Sequence, residues 1–285
     1  MAVKSERELR ADIVEVCHKI YNNGWVAAND GNVSVLIDDG IAICTPTGIS
    51  KGIITPDMLI KVDINGNKLE GERELKPSSE IKMHLDILRN KPGVNSVVHA
   101  HPPYGTAFAV AGIPLNECVL PEIVISLGQI PITKYGTPST FEIPESVREH
   151  LKESSVFLLE NHGALSTGSD VFQAYYRMES MELFAKIAVI AKTIGNVNTI
   201  SEPNVKKLLK LRTDWGMDTE NFPGCRIGDK MINYNDKSYN QGSVSAAGSG
   251  NPGTFAEDEK ITLTKKELVE IIQSTVTNIL KQYNK

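Results

Sequence analysis

Three histidines are the residues best suited to chemistry in this 285-residue chain: His99 and His101 in Val98-His99-Ala100-His101-Pro102, and His162 in Glu160-Asn161-His162-Gly163. The pair falls at the end of an apolar run, Ser96–Ala100, that reads as a buried strand. Alternate residues of a strand project from one face, so both rings share a side. His162 follows a second apolar run, Val156–Leu159. Three imidazoles with an open fourth position form the donor set of a catalytic rather than a structural zinc. Spacing alone reads equally well as a coincidence of surface histidines, because nothing in it brings His162 to the pair.

Pro77-Ser78-Ser79-Glu80 opens a helical pattern. The unpaired N–H groups and the dipole of a helix's first turn favour an anion. Two hydroxyls beside them complete a phosphate cradle. Serine and glutamate are also ordinary first-turn and capping residues, so the motif reads both ways. Two polar, Gly-bearing loops, Asn29-Asp30-Gly31-Asn32 and Thr45-Pro46-Thr47-Gly48, are either further anion-holding segments or plain turns. His84, four residues after Glu80, shares its helical face. It reads as a histidine hydrogen-bonded beneath the site, and His18 and His150 as surface or packing residues.

The elements that must position these groups follow from periodicity. Ser5 and Glu8 have capping-box spacing before Leu9, Ile13, Val16 and Ile20, a helix that Gly24 is placed to end. Short β-type runs follow at Val33–Ile37, Ile41–Cys44 and Leu59–Ile64, separated by Asp38-Asp39-Gly40 and closed by Asn65-Gly66-Asn67. A second helix after Pro77 carries Ile81, Leu85 and Leu88 on one face. Val119–Ile132 alternates weakly and is expected to mix strand and loop. Helices are expected over Ile143–Lys152, from Asp170 toward Thr193, and over Glu202–Leu211. Nothing repeats internally.

Composition sets limits. Hydrophobic residues make up 41% and charged residues 23%, which excludes a wholly disordered chain. No apolar run approaches the roughly 20 residues of a membrane-spanning helix. Thirty basic against 35 acidic residues give a net charge of −5, which argues against a broad nucleic-acid footprint. Cys17, Cys44, Cys118 and Cys225 are scattered without a C-x-x-C pair and read as reduced thiols of a cytosolic protein. The N-terminal residues have no signal-peptide pattern. After about residue 235 the composition changes. Residues 236–260 are rich in Gly, Ser, Ala, Asn and Pro, as a flexible linker is. Residues 261–285 regain a capping box at Thr264–Glu267 and an apolar stripe of Leu268, Ile272, Val276, Ile279 and Tyr283. The expected organisation is thus a body over 1–235, a linker and a tethered amphipathic helix.

Taken together and in order, G-N-x-S at Gly31–Ser34, P-T-G at Pro46–Gly48, P-S-S-E at Pro77–Glu80, H-x-H at His99–His101 and N-H-G at Asn161–Gly163 resemble the class II aldolase/adducin family. The resemblance is closest to its L-fuculose-1-phosphate aldolase branch and covers about residues 5–215. It implies an α/β/α sandwich around a mostly antiparallel central sheet, and a homotetramer with active sites between subunits. It implies His99, His101 and His162 as ligands of one Zn2+ per subunit, with Glu80 as acid/base and as a further ligand when substrate is absent. It also implies that Asn29, Gly31, Asn32, Thr47, Gly48, Ser78 and Ser79 hold the substrate phosphate. The implied reaction is retro-aldol cleavage of L-fuculose 1-phosphate, or L-rhamnulose 1-phosphate, to dihydroxyacetone phosphate and L-lactaldehyde. Burial that raises the pKa of Glu80 would suit its proton transfer. Relatives protonate the aldehyde oxygen with a tyrosine from a neighbouring subunit; the matching stretch here, Asn116–Leu120, has none, and Tyr135 is the preferred substitute over Tyr104. Residues 261–285 resemble the encapsulation peptides that take enzymes into bacterial microcompartments. They imply shell or cargo proteins as partners and a cytoplasmic, compartment-bound location, with no nucleic acid and no membrane.

Three rivals share the fold. A pentulose-5-phosphate 4-epimerase typically has Asp where this chain has Glu80, and a further His near its C-terminus, whereas no histidine follows His162 here. A methylthioribulose 1-phosphate dehydratase is the second. An adducin-like binding module, the third, would lack the metal site.

Overall fold

A computed structural model describes residues 4–38, 40–217 and 221–233. The linker and amphipathic helix expected over 236–285 lie outside these residues. In chain order the elements are α1 (Glu6–Asn22), β1 (Asn32–Asp38), β2 (Ile41–Cys44), β3 (Ile60–Asp63), β4 (Lys68–Glu70), α2 (Ile81–Asn90), β5 (Ser96–Ala100), α3 (Pro103–Ala111), α4 (Pro121–Ser126), β6 (Ile132–Thr133), α5 (Glu142–Leu151), β7 (Val156–Leu159), β8 (Gly163–Gly168), α6 (Val171–Ile194), α7 (Glu202–Asp214), β9 (Cys225–Ile227) and β10 (Lys230–Ile232).

Eight strands form one sheet in the order β4-β3-β2-β1-β5-β8-β7-β6. All neighbours are antiparallel except β6 and β7. Strand alternation builds a core on each face. On one side Val33, Val35, Val98 and Ala164 pack with Ile13, Val16 and Ile20 of α1, Phe108 of α3 and Met178 and Phe184 of α6. On the other, Val97, Phe157, Leu159 and Leu165 pack with Leu85 and Leu88 of α2 and Val147 and Leu151 of α5. This is the expected α/β/α sandwich around a mostly antiparallel sheet.

The capping box of α1 forms as its spacing predicts, with Ser5 at the N-cap and Glu8 reaching back. Four elements differ from expectation. The stretch expected as mixed strand and loop contains α4, whose Pro121 occupies a first-turn position where its missing N–H costs nothing. The helix is held because Ile123 and Val124 are buried in two different clusters. Strand β8 reads Gly-Ala-Leu-Ser-Thr-Gly, too small-residued to signal a strand, and is fixed by its neighbours β5 and β7. Helix α3 starts on two prolines, and its N–H groups at Tyr104 and Gly105 are accepted by the buried carboxylate of Glu182 from α6. The hairpin β9–β10 was not expected, and it corrects the cysteine reading. Cys118 and Cys225 are disulfide-bonded across 107 residues, their Cα atoms 5.3 Å apart. The Cys118 N–H donates to Arg226 O and the Arg226 N–H to Asn116 O, which brings the two cysteines together. Cys17 and Cys44 are free and buried, and burial pushes each thiol up to about 12.

Candidate metal centre and active site

Two central strands and one helix end build the site. In β1 and β5, Asn32 pairs opposite His99 and Ser34 opposite Val97. Asn32, Ser34 and His99 project toward α2, because Val33, Val35 and Val98 are taken by the opposite core. Helix α2 begins at Ile81 with Glu80 as its N-cap residue, so the P-S-S-E serines precede the helix instead of capping it. The Ser78 hydroxyl does accept the Glu80 N–H, at 3.3 Å. His84 lies beneath, with its Nδ1 2.7 Å from Ser34 Oγ. That contact gives the serine of G-N-x-S a structural role under the site.

The three histidines converge. His99 Nδ1 lies 2.9 Å from the Ala164 carbonyl, so it carries the proton and donates. Its Nε2 lone pair then faces His101 Nε2 at 3.3 Å. The other nitrogen of His101, Nδ1, is 3.6 Å from the Asp30 carboxylate. One ring nitrogen from each of His99, His101 and His162 lies within 4.8 Å of the others. Glu80 spans the group, Oε2 3.4 Å from His99 Nε2 and Oε1 3.4 Å from His162 Nε2. Glu80 Oε1 and His162 Nδ1 are buried without a hydrogen-bond partner. The His99 lone pair and the Glu80 carboxylate, 3.4 Å apart, repel unless they share a cation. Three imidazoles and a nearby carboxylate fit a divalent metal of the zinc type.

Two glycines allow this closeness. A Cβ on Gly31, whose φ is +71°, would stand 2.9 Å from the His99 carbonyl and 2.6 Å from Val26. One on Gly163 would stand 2.5 Å from the His101 ring and 2.7 Å from the Ala100 carbonyl. The glycines of G-N-x-S and N-H-G are therefore packing requirements of the His99–His101 segment.

Electrostatics suit a metal. Burial holds His99 down to about 3, and His162 below its ordinary range, so both stay neutral and able to ligate. Glu80 departs from the sequence expectation. Burial acts to raise its pKa, yet it lies below the ordinary carboxylate value, with the Asn32 amide donating to Oε2 at 2.9 Å.

A cavity of about 190 Å³ opens above the cluster, lined by Asn29, Asp30, Gly31, Asn32, Pro46, Thr47, Ser78, Ser79, Glu80, His101, Pro138 and His162. Larger hollows, of about 420 and 570 Å³, lie elsewhere, and neither is lined by a histidine. The two polar loops meet the serine segment through backbone: Thr47 N–H donates to Lys76 O and Ser78 N–H to Thr45 O. Of the residues singled out from the sequence, Gly48 adjoins the cavity through Thr47, and His99 lies fully buried beside Glu80. Tyr135 is not brought there. Its side chain is 57% exposed, and its backbone N–H donates to Glu160. Asp30, Pro138 and the buried Lys51 escaped the sequence reading. Asp30 lies inside Asn29-Asp30-Gly31-Asn32, and an acidic residue in a loop expected to hold an anion was the available signal.

The Class II Aldolase and Adducin N-terminal domain model matches residues 11–189. An L-fuculose phosphate aldolase of Methanococcus vannielii is 38% identical over 176 residues, 62% of this chain and 93% of that one. A 3-oxo-tetronate 4-phosphate decarboxylase of Pectobacterium atrosepticum is 32% identical over 193 residues, 66% of this chain and 87% of that one. Among solved structures, YgbL from Escherichia coli superposes with a TM-score of 0.66 at 29% identity, covering 72% of this chain and all of that one. An L-fuculose 1-phosphate aldolase gives 0.66 at 26% identity, covering 72% and 96%. With five motifs in order, a three-histidine cluster at the strand ends and a family match over more than half its length, this chain belongs to the class II aldolase/adducin family, as an aldolase-type lyase.

Proposed function

We propose that this enzyme cleaves L-fuculose 1-phosphate, and L-rhamnulose 1-phosphate with it, to dihydroxyacetone phosphate and L-lactaldehyde with one Zn2+ per subunit. The observation that carries the reading is the Glu80 carboxylate spanning His99 and His162 beside His101 at the floor of a polar cavity. His99, His101 and His162 hold the zinc. When bound, it acts as a Lewis acid toward the negative charge that develops when the C3–C4 bond breaks. As the C3–C4 bond breaks the C4 hydroxyl gives up its proton to water, and Glu80, taking one proton from water, delivers it to C3 of the enediolate left behind and removes it in the aldol direction. Asn32 holds the Glu80 carboxylate in place for this transfer. Asn29, Gly31, Asn32, Thr47, Gly48, Ser78 and Ser79 receive the phosphate and orient the ketose. Binding energy gained far from the breaking bond is thus spent on alignment. Glu80→Gln should lower turnover by about 10²–10⁴-fold, the usual worth of positioned proton transfer.

A second reading has its own support. Decarboxylation of a 3-oxo-tetronate 4-phosphate also leaves a dihydroxyacetone phosphate enediolate, and departing carbon dioxide needs no proton donor. Decarboxylases are as similar to this chain as several aldolases are. The deciding experiment supplies the zinc-loaded full chain with each compound in turn. Dihydroxyacetone phosphate and lactaldehyde from fuculose 1-phosphate support the aldolase. Carbon dioxide from the oxo acid, with no cleavage of the ketose, replaces that reading with the second.

We also propose a cytoplasmic homotetramer carried into a bacterial microcompartment by residues 261–285, on the composition of 236–260 and the stripe from Leu268 to Tyr283. Deleting residues 260–285 should leave the lyase active and release it from the shell. Continued co-purification with shell would reject the address.

A further inference from the structure

The cavity proposed to receive a phosphate is poor in positive charge. Among its lining residues none is Lys or Arg, and two, Asp30 and Glu80, are acidic. A dianion entering past two carboxylates is repelled unless a cation lies close by. Among the described residues, Lys51 is a cation held against the loops that line the cavity. It is only 1% exposed and is among the largest fully buried side chains. Its Nζ donates to the carbonyl of Asn29, at 3.1 Å, and to the carbonyl of Ile49, at 2.9 Å. Asn29 belongs to the first polar loop, and Ile49 directly follows the Thr47-Gly48 loop. One ammonium therefore binds the backbones of both loops.

Two consequences follow for an anion in this cavity. Carbonyl oxygens repel anions, and here the two are committed to Lys51. The loop around Asn29 is also held in an uncommon conformation, with φ +46° at Ala28 and +71° at Gly31, and Asp30 N–H donating to Ala27 O. A buried charge is costly unless compensated, and burial accordingly pushes the Lys51 ammonium below its ordinary range. The groups that act against this are the buried Cys17 thiol and the Asp30 carboxylate at the cavity wall. A phosphate at the loops would supply compensation that one carboxylate does not.

We propose that Lys51 is the positioning residue of the anion site: from beneath the 29–32 and 46–48 loops it fixes their shape and supplies the positive charge that draws the phosphate end of the substrate. This rests on the reading of the substrate as a sugar phosphate.

The test compares dihydroxyacetone phosphate with dihydroxyacetone, which has no phosphate, on the zinc-loaded full chain and on Lys51→Met and Lys51→Arg. In Lys51→Met, affinity for dihydroxyacetone phosphate should fall roughly tenfold or more, as for other lost charge complementarity. Affinity for dihydroxyacetone and zinc content should stay at wild-type values, and Lys51→Arg should recover part of the loss. A lysine that served only the fold would lower the melting temperature and leave the ratio of the two affinities unmoved, which overturns the proposal. Should Lys51→Met fail to fold, the intact chain labelled with ε-13C lysine serves. The Lys51 resonance, assigned by its loss in Lys51→Arg, should shift on addition of dihydroxyacetone phosphate and stay put with dihydroxyacetone; no shift with either overturns the proposal. A wild-type chain that binds both compounds alike overturns the sugar-phosphate reading and this inference together. A wild-type chain that discriminates, beside a Lys51→Met variant that discriminates equally, overturns this inference alone.

Discussion

The two faces of the central sheet divide the work. On the face covered by α1, α3 and α6, strands β1 and β5 present Val33, Val35, Val98 and Ala100, and packing there is apolar. On the face covered by α2, the same strands present Asn32, Ser34 and His99, which meet Glu80 and His84 from the helix. The two sets alternate residue by residue. A slip of one residue in the β1–β5 pairing would send the imidazole into the apolar core and a valine into the site. The apolar face therefore holds the register on which the polar face depends.

Breaking the polar face should give the largest effect. His99→Ala removes one proposed metal ligand, and both metal content and lyase rate should collapse, the rate by roughly a thousandfold or more, since Lewis-acid catalysis supplies several kcal/mol. Metal analysis beside a turnover assay checks this. Breaking the apolar face should give a different phenotype. Phe184→Ala empties a fully buried position and should cost about 3–5 kcal/mol of stability in urea unfolding. The folded fraction should still bind one metal per chain; loss of metal from it would contradict the division.

Acid should act through the polar face. Burial lowers the His84 pKa to about 4. The folded chain thus keeps this histidine neutral where the unfolded chain, near 6.5, takes up a proton. Stability from this group is complete above pH 6.5, falls as pH drops from 6.5 toward 4, and levels off below. Between pH 7 and 5 the loss should be roughly 2 kcal/mol, and His84→Gln should remove that part of the slope in unfolding curves at the two pH values. The smallest change is Ser34→Ala. It leaves His84 Nδ1 without its partner and should cost at least about 1 kcal/mol, with metal content unchanged.

Much of this was legible because it rests on short-range rules. Strand alternation put His99 and His101 on one side, and Ser5 with Glu8 announced the first helix. The convergence of His162 was not readable from spacing, because it depends on a close fit at Gly163 that only folded neighbours impose. Strand β8 was hidden for the same reason: its small residues are chosen by what lies against them. Tyr135, expected to reach a neighbouring subunit's site, is exposed on this chain. The Cys118–Cys225 bridge joins segments 107 residues apart, beyond any local pattern. Lys51 drew no expectation from the sequence, and only burial shows what it holds.

Directly after His101 the chain leaves the sheet at Pro102 and enters α3, whose first N–H groups are gripped by Glu182 on the apolar side. That junction acts as a hinge pin between the layers. A carboxylate outside the histidine cluster anchors the peptide just beyond His101. Substitutions in α6 around Glu182 should consequently show epistasis with His101, and surveys that score residues one at a time would file them as ordinary core damage.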